Sequence, residues 1–213
     1  MVKFAPIISV LNYLKKTFQL TNDMDLKTKE YLKIGYQRQL TYRHDDGSFS
    51  AFGPKSSKEN GGTWLTAFVL RCFSDAYKLN QIKIDESDIK KSLNMLLNIQ
   101  NEDGSFDQVG AALLSKALAG GLSNKKIGLS AYVIISILKA VDALGLRDSQ
   151  HEKEKLNKGL KYLKNEVQSV EELDTYTLAI TLYTFKLANY DEISTIEDLL
   201  SELDSRAINE SKL

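Results

Sequence analysis

The sequence predicts an all-helical fold built from helical hairpins stacked side by side, and three observations carry that prediction. The first is a repeated phrase: Asp46-Gly47-Ser48-Phe49 returns as Asp103-Gly104-Ser105-Phe106, with Gly104 lying 57 residues beyond Gly47. The second is the helix that follows each copy. Leu65-Thr66-Ala67-Phe68 is matched by Leu129-Ser130-Ala131-Tyr132, 64 residues on, and a degenerate third copy, Thr175-Tyr176-Thr177-Leu178-Ala179-Ile180, appears without its turn phrase. The third is composition: only two prolines stand in 213 residues, and period-two alternation is scarce. Units of about 50 residues, each of two helices, cannot bury an apolar face alone and must stack.

The elements follow in order. Pro6 suits a first helical turn, and Ile7, Val10, Leu11, Leu14 and Phe18 recur at helical spacing, giving a helix over about 5–18. Asn22, Asp23 and Asp25 offer caps for a second helix, which places Leu26, Tyr31, Leu32, Ile34, Tyr36 and Leu40 along one stripe and ends near Tyr42. The first Asp-Gly turn comes next, because Gly takes positive φ at little cost and an Asp side chain bonds the backbone two residues on. Residues 50–62 read as an exposed loop, and a third helix spans 63–78. Asp85 or Ser87 caps a fourth, with Ile89, Leu93, Leu96, Leu97 and Ile99 on its apolar face. A short helix between 107 and 127 stops at Gly120-Gly121. The helix at 128–144 is apolar nearly all round and therefore internal, whereas that at 151–167 buries only Leu156, Leu160, Leu163 and Val167. A third internal helix covers 174–188, and a ninth begins with the capping box Ser194-Thr195-Ile196-Glu197. Outer amphipathic helices alternating with inner apolar ones give an all-α fold, an incomplete α/α toroid of about nine helices forming a single partial domain over residues 1–213.

Charge balances at 28 basic against 28 acidic residues, and no basic run tracks a phosphate backbone, which disfavours nucleic acid as a partner. No apolar run approaches the ~20 residues of a membrane span, and the start, Met1-Val2-Lys3-Phe4-Ala5-Pro6, carries no signal-peptide pattern. One cysteine and two histidines, without metal-ligand spacing, give no zinc set, and no phosphate-binding glycine motif occurs, so no cofactor is expected. His44 reads as a turn residue and His151 as the start of a charged helix. Cys72, between Arg71 and Phe73, reads as a small core hydrophobe. The pairs Asp45/Asp46 and Asp85/Asp88 read as turns and caps.

Gln100-x-x-Asp103-Gly104-Ser105-Phe106 is similar to the QW-type repeat of terpenoid cyclases, which are α/α toroids. The acidic cluster on which those enzymes rely is missing, as is the Asp/Cys/His zinc set of protein prenyltransferase β-subunits. More of the chain resembles the thioester domain of the α2-macroglobulin and complement superfamily. The resemblance rests on Met1 to Pro6, Gly35-Tyr36-Gln37-Arg38-Gln39-Leu40, Asp46 to Gly53, Thr63 to Phe73, Gly120-Gly121 and Leu129 to Tyr132. The resemblance is spread from the first residue to about residue 190, in the family's order and at similar spacing.

What the resemblance implies is a fragment of a secreted thioester-containing protein that acts in innate immunity or peptidase inhibition by covalent attachment to its targets. The reactive Cys and Gln belong to a Gly-Cys-Gly-Glu-Gln motif placed ahead of Met1, so neither the thioester nor any enzymatic activity is expected within this chain. Position 75 is Asp and not Gln, so Cys72 does not substitute. Some complement members carry a His five residues before the Gly-Gly pair; here that position is Ser115, which favours direct attack by amines over transfer to hydroxyls. Asn209-Glu210-Ser211 is a glycosylation sequon, in keeping with an extracellular parent. The expected partners are neighbouring domains that shield the thioester, together with target proteases or microbial surfaces. The alternatives are a cyclase-like or prenyltransferase-like enzyme, and a helical module that binds without covalent chemistry.

Overall fold

The computed structural model describes residues 1, 3–55, 61–110, 125–168 and 170–207. Its α-helices are α1 (Phe4–Lys16), α2 (Asn22–Leu40), α3 (Thr63–Leu79), α4 (Glu86–Asn98), α5 (Lys125–Ala143), α6 (Gln150–Glu166), α7 (Thr175–Ala188) and α8 (Ile193–Ser205), with a 3-10 turn at Val170–Glu172. Among the described residues there is no strand, only an isolated antiparallel bridge between Arg43 and Phe49. The short helix expected between 107 and 127 falls largely on residues 111–124, outside the described residues.

The odd-numbered helices form one layer, α1 against α3, α3 against α5 and α5 against α7, and each even-numbered helix packs on the odd-numbered one before it. This is the two-layered α/α arrangement of the toroid. The inner helices run in the same direction. Lys15 Nζ near the end of α1 donates to Leu79 O at the end of α3 (2.9 Å), and Lys78 of α3 pairs with Asp142 of α5. Composition sorts the layers. On α3 the buried set Thr63, Thr66, Ala67, Val69, Leu70, Cys72, Phe73, Ser74 and Ala76 covers most of the circumference, whereas the apolar positions buried on α6 keep to one stripe with Lys and Glu opposite. Around Phe73 the rings of Phe4, Tyr36 and Phe49 stand edge-on at 5.7, 5.0 and 6.0 Å, each contact adding about 0.5–1.5 kcal/mol beyond area burial.

The two copies of the turn phrase have the same internal wiring. Asp46 Oδ1 accepts from the Ser48 N–H (2.9 Å) and hydroxyl (2.6 Å), and Asp103 Oδ1 accepts from Ser105 at the same two distances. The next N–H then reaches the following inner helix, from Phe49 to Thr66 Oγ1 at 3.0 Å and from Phe106 to Ser130 Oγ at 2.9 Å. That bond is why Thr or Ser precedes the Ala of α3 and of α5. Gly47 (φ +89°) and Gly104 (φ +95°) press their Cα atoms against the backbone of α4 and α6, so each turn joins one hairpin to the next. The third hairpin lacks the phrase and is held by other means. Asp174 caps α7 by accepting from the Thr177 N–H (3.0 Å), and Arg206 at the end of α8 donates to the carbonyls of Val170, Glu171 and Leu173.

Several local expectations require correction. In α1 the buried residues are Phe4, Ile8 and Leu11; Val10 is exposed, and Phe18, expected on the apolar face, lies beyond the helix and is 96% exposed. In α2 the buried positions are Leu32, Tyr36 and Gln39, at the i, i+4, i+7 spacing of one face, while Leu26, Tyr31 and Ile34 face outward. The Ser194 capping box does not form: α8 starts at Ile193, after Glu192, whose carboxylate is drawn to Lys164 Nζ at 2.5 Å. Asp88 is not a surface cap but a buried carboxylate that accepts from Tyr36 and Arg43.

Candidate functional site

The shared direction of the inner helices gathers the start of α1, the start of α3 and both Asp-Gly-Ser-Phe turns at one end of the layer. This rim is the candidate site. At α1, the Met1 nitrogen donates to Gln39 Oε1 at 3.0 Å, and the Met1 carbonyl accepts from the N–H groups of Phe4 and Ala5, both at 3.0 Å. At α3, the exposed N–H groups of the first turn are met by the segment after the second turn. Thr63 N–H donates to Val109 O (3.1 Å), Trp64 N–H to Gln108 Oε1 (3.3 Å), and Thr63 Oγ1 both donates to Asp107 O and accepts from the Val109 N–H. The helix end is thereby satisfied by the chain itself.

Inside the rim, Trp64 stacks on Phe68 (centroids 5.3 Å apart) and on Tyr132 (5.8 Å), forming a half-buried aromatic patch across α3 and α5. Arg71, one turn further along α3, lies beside Tyr132 and near Tyr176 of α7. Burial raises both phenols above their ordinary range, and the Arg71 guanidinium opposes the rise. Both hydroxyls therefore stay neutral and available as donors at neutral pH. Chemically the rim offers a half-buried aromatic face with the Arg71 guanidinium beside it.

His44 Nε2 lies 2.8 Å from Ser50 Oγ, which could pass for a base and its nucleophile. The second turn puts Asn101 and Asp107 at the corresponding positions, with Asn101 Nδ2 donating to Asp107 Oδ2 at 2.9 Å. A rung repeated with different chemistry is structural, and Ser50 is buried. His151 is exposed in the first turn of α6. Ser115 and Asn209 lie outside the described residues. No group of three candidate metal ligands occurs among the described residues, and none of their helices is long and apolar enough to cross a membrane. Sequence reasoning missed Gln39 because a polar residue at the end of a charged helix looks solvated; its i+7 spacing from Leu32 was the available signal.

Cys72 is 7% exposed, and its thiol is pushed up to about 12, first by burial and then by Asp75. Thiolate at neutral pH is thus rarer in the fold than in the unfolded chain by on the order of a thousandfold, and thiol reagents should leave the native chain unmodified while labelling it fully in denaturant. The raised value also fixes the sign of a pH effect. The neutral thiol favours the fold fully below its ordinary value of 9.0, and that contribution is lost as pH climbs to about 12. Tyr36, raised from 10.0 to about 12 by burial and then by its bond to Asp88, acts in the same sense. Melting temperature should hold up to about pH 9 and fall beyond it; a flat profile from pH 9 to 11 would contradict the burial of these groups.

The family model described as the A-macroglobulin TED domain matches residues 1–213. Ovostatin from Gallus gallus is 39% identical over 207 residues, covering 97% of this chain and 13% of its own length. The chain therefore spans a small part of the relative it matches. On the agreement of repeat, fold and family match, the chain belongs to the A-macroglobulin thioester-domain family.

Proposed function

We propose that residues 1–213 are a single, partial α/α toroid domain that scaffolds the reactive centre of a secreted thioester protein, and that the parent acts in peptidase inhibition or innate immunity by attaching covalently to its targets. The Cys and Gln of the reactive bond are supplied by a Gly-Cys-Gly-Glu-Gln segment leading into α1. The chain itself performs no catalysis; its part is to hold that segment against the rim, with neighbouring domains of the parent completing the cover. The observation that carries this reading is the convergence, at one end of the inner layer, of the α1 start, the capped α3 start and the aromatic patch of Trp64, Phe68 and Tyr132. A thioester survives only while shielded from water, and exposure lets an amine or hydroxyl add to the acyl carbon, break the C–S bond and release the thiol. Target proteases or microbial surfaces would supply those nucleophiles. Ser115, in place of a His, leaves no imidazole at that position to take up the acyl group, which favours amines.

Methylamine treatment of the full-length protein tests the reading. The expected result is stoichiometric incorporation of the amine with release of one thiol per chain, and little incorporation of glycerol until Ser115 is replaced by His. Neither incorporation nor thiol release from the intact protein would overturn it.

A further inference from the structure

Resting on the reading above, we infer that Gln39 is a positioning residue that fixes the path by which the reactive segment enters α1. Gln39 is 5% exposed, and a polar side chain so deeply buried is retained with a partner. Its Oε1 accepts from the Met1 nitrogen at 3.0 Å across 38 residues of sequence. That nitrogen is the terminal ammonium of the 213-residue chain, and the peptide N–H it becomes when a residue precedes it is a neutral donor at the same atom. Because the Met1 carbonyl is already committed to the N–H groups of Phe4 and Ala5, both polar backbone atoms of Met1 are fixed, and the direction of approach to the helix is fixed with them.

The neighbouring turn of α2 reinforces the lock. Gly35 lies one turn before Gln39 on the same face, and a Cβ added there would come within 2.9 Å of Phe4 Cδ2, so the first turn of α1 rests directly on the α2 backbone. Phe4 is itself buried against Phe73. The motif Gly35-Tyr36-Gln37-Arg38-Gln39 thus reads as a cradle. Gly35 admits the Phe4 ring, Tyr36 ties α2 to α4 through Asp88, and Gln39 holds the backbone where α1 begins. A lead-in anchored this way keeps an acyl group attached to it in one place under its cover, whereas a loose lead-in gives water access.

The test measures spontaneous thiol release from the full-length protein at neutral pH, where water adds to the acyl carbon and the C–S bond breaks to leave a thiol and a carboxylate. Gln39→Leu removes the acceptor at similar volume and should speed release about fivefold, the factor expected from the loss of one hydrogen bond. Gln39→Glu keeps an acceptor oxygen and should restore the original lifetime, a rescue that a packing role alone would not produce. Release at the unsubstituted rate from Gln39→Leu, or an equal acceleration in both variants, would overturn the assignment. If the unsubstituted protein neither releases a thiol nor takes up methylamine, the thioester reading itself falls. The positioning role is then decided by amide hydrogen exchange over residues 3–5 of the 213-residue chain: faster exchange in Gln39→Leu than in Gln39→Glu supports it, and identical exchange refutes it.

Discussion

Gly104→Ala is expected to cost the fold about 2–5 kcal/mol, against a total of about 5–15 kcal/mol for a domain of this kind. Gly104 has φ +95°, and an added Cβ would lie 2.2 Å from Lys158 O, 2.6 Å from Lys158 C and 3.1 Å from Gly159 N. All three are backbone atoms of α6, so no side-chain rotation relieves the overlap. Left-handed backbone for an L-residue costs about 1–2 kcal/mol, and overpacking adds about 1–3. Forcing the turn away from α6 also strains the Gln100 side chain, whose Nε2 donates both to Gly104 O (3.1 Å) and to Lys155 O (3.0 Å). Gly47→Ala, whose Cβ would lie 2.6 Å from Lys91 O, should be nearly as damaging. Gly145→Ala is the control, because Gly145 shares the positive φ (+66°) but nothing stands within 4 Å of its added Cβ. Urea denaturation of the three variants separates the two costs. A Gly104→Ala loss no larger than that of Gly145→Ala would mean that the turn is not pressed onto α6.

The turn phrase is legible in the sequence because its chemistry is local. An Asp that accepts from residues two positions on, followed by a Gly with positive φ, needs no knowledge of the rest of the fold. The division into inner and outer helices is legible for a related reason: α5 is apolar on nearly every face, and α6 on one. What the sequence hides are polar residues whose partners lie far along the chain. Gln39 meets Met1, Trp64 meets Gln108 across 44 residues, and Tyr36 meets Asp88 across 52. Local rules place Asp88 correctly in the first turn of α4 but read it, like Gln39, as solvated, and both are buried because tertiary packing decides which face is covered. The Ser194 capping box fails in the same way, since the pairing of Glu192 with Lys164, 28 residues earlier, accompanies an α8 that starts ahead of the box.

The Asp88 network allows the cost of such a hidden contact to be measured. Asp88 is 8% exposed; one carboxylate oxygen accepts from the Tyr36 hydroxyl and the other from Arg43 Nη1, while the Tyr36 oxygen accepts from the Asp85 N–H at 3.1 Å. Asp88→Ala leaves a guanidinium whose side chain is only 21% exposed, and a buried phenol, without their acceptor. Breaking one side of a buried pair costs about 3–5 kcal/mol, and the remaining solvent access of Arg43 places this case near the lower end, at about 3 kcal/mol. Tyr36→Phe keeps the pair and the ring packing on Phe73, losing only the hydroxyl and the acceptor for Asp85, so about 1–2 kcal/mol is expected. In the double variant Asp88→Ala with Tyr36→Phe, the phenol no longer lacks a partner, and the combined loss should fall short of the sum of the single losses by about 1 kcal/mol. Strict additivity in denaturant titrations would show that the two side chains act independently and that the Asp88 network does not join α2 to α4.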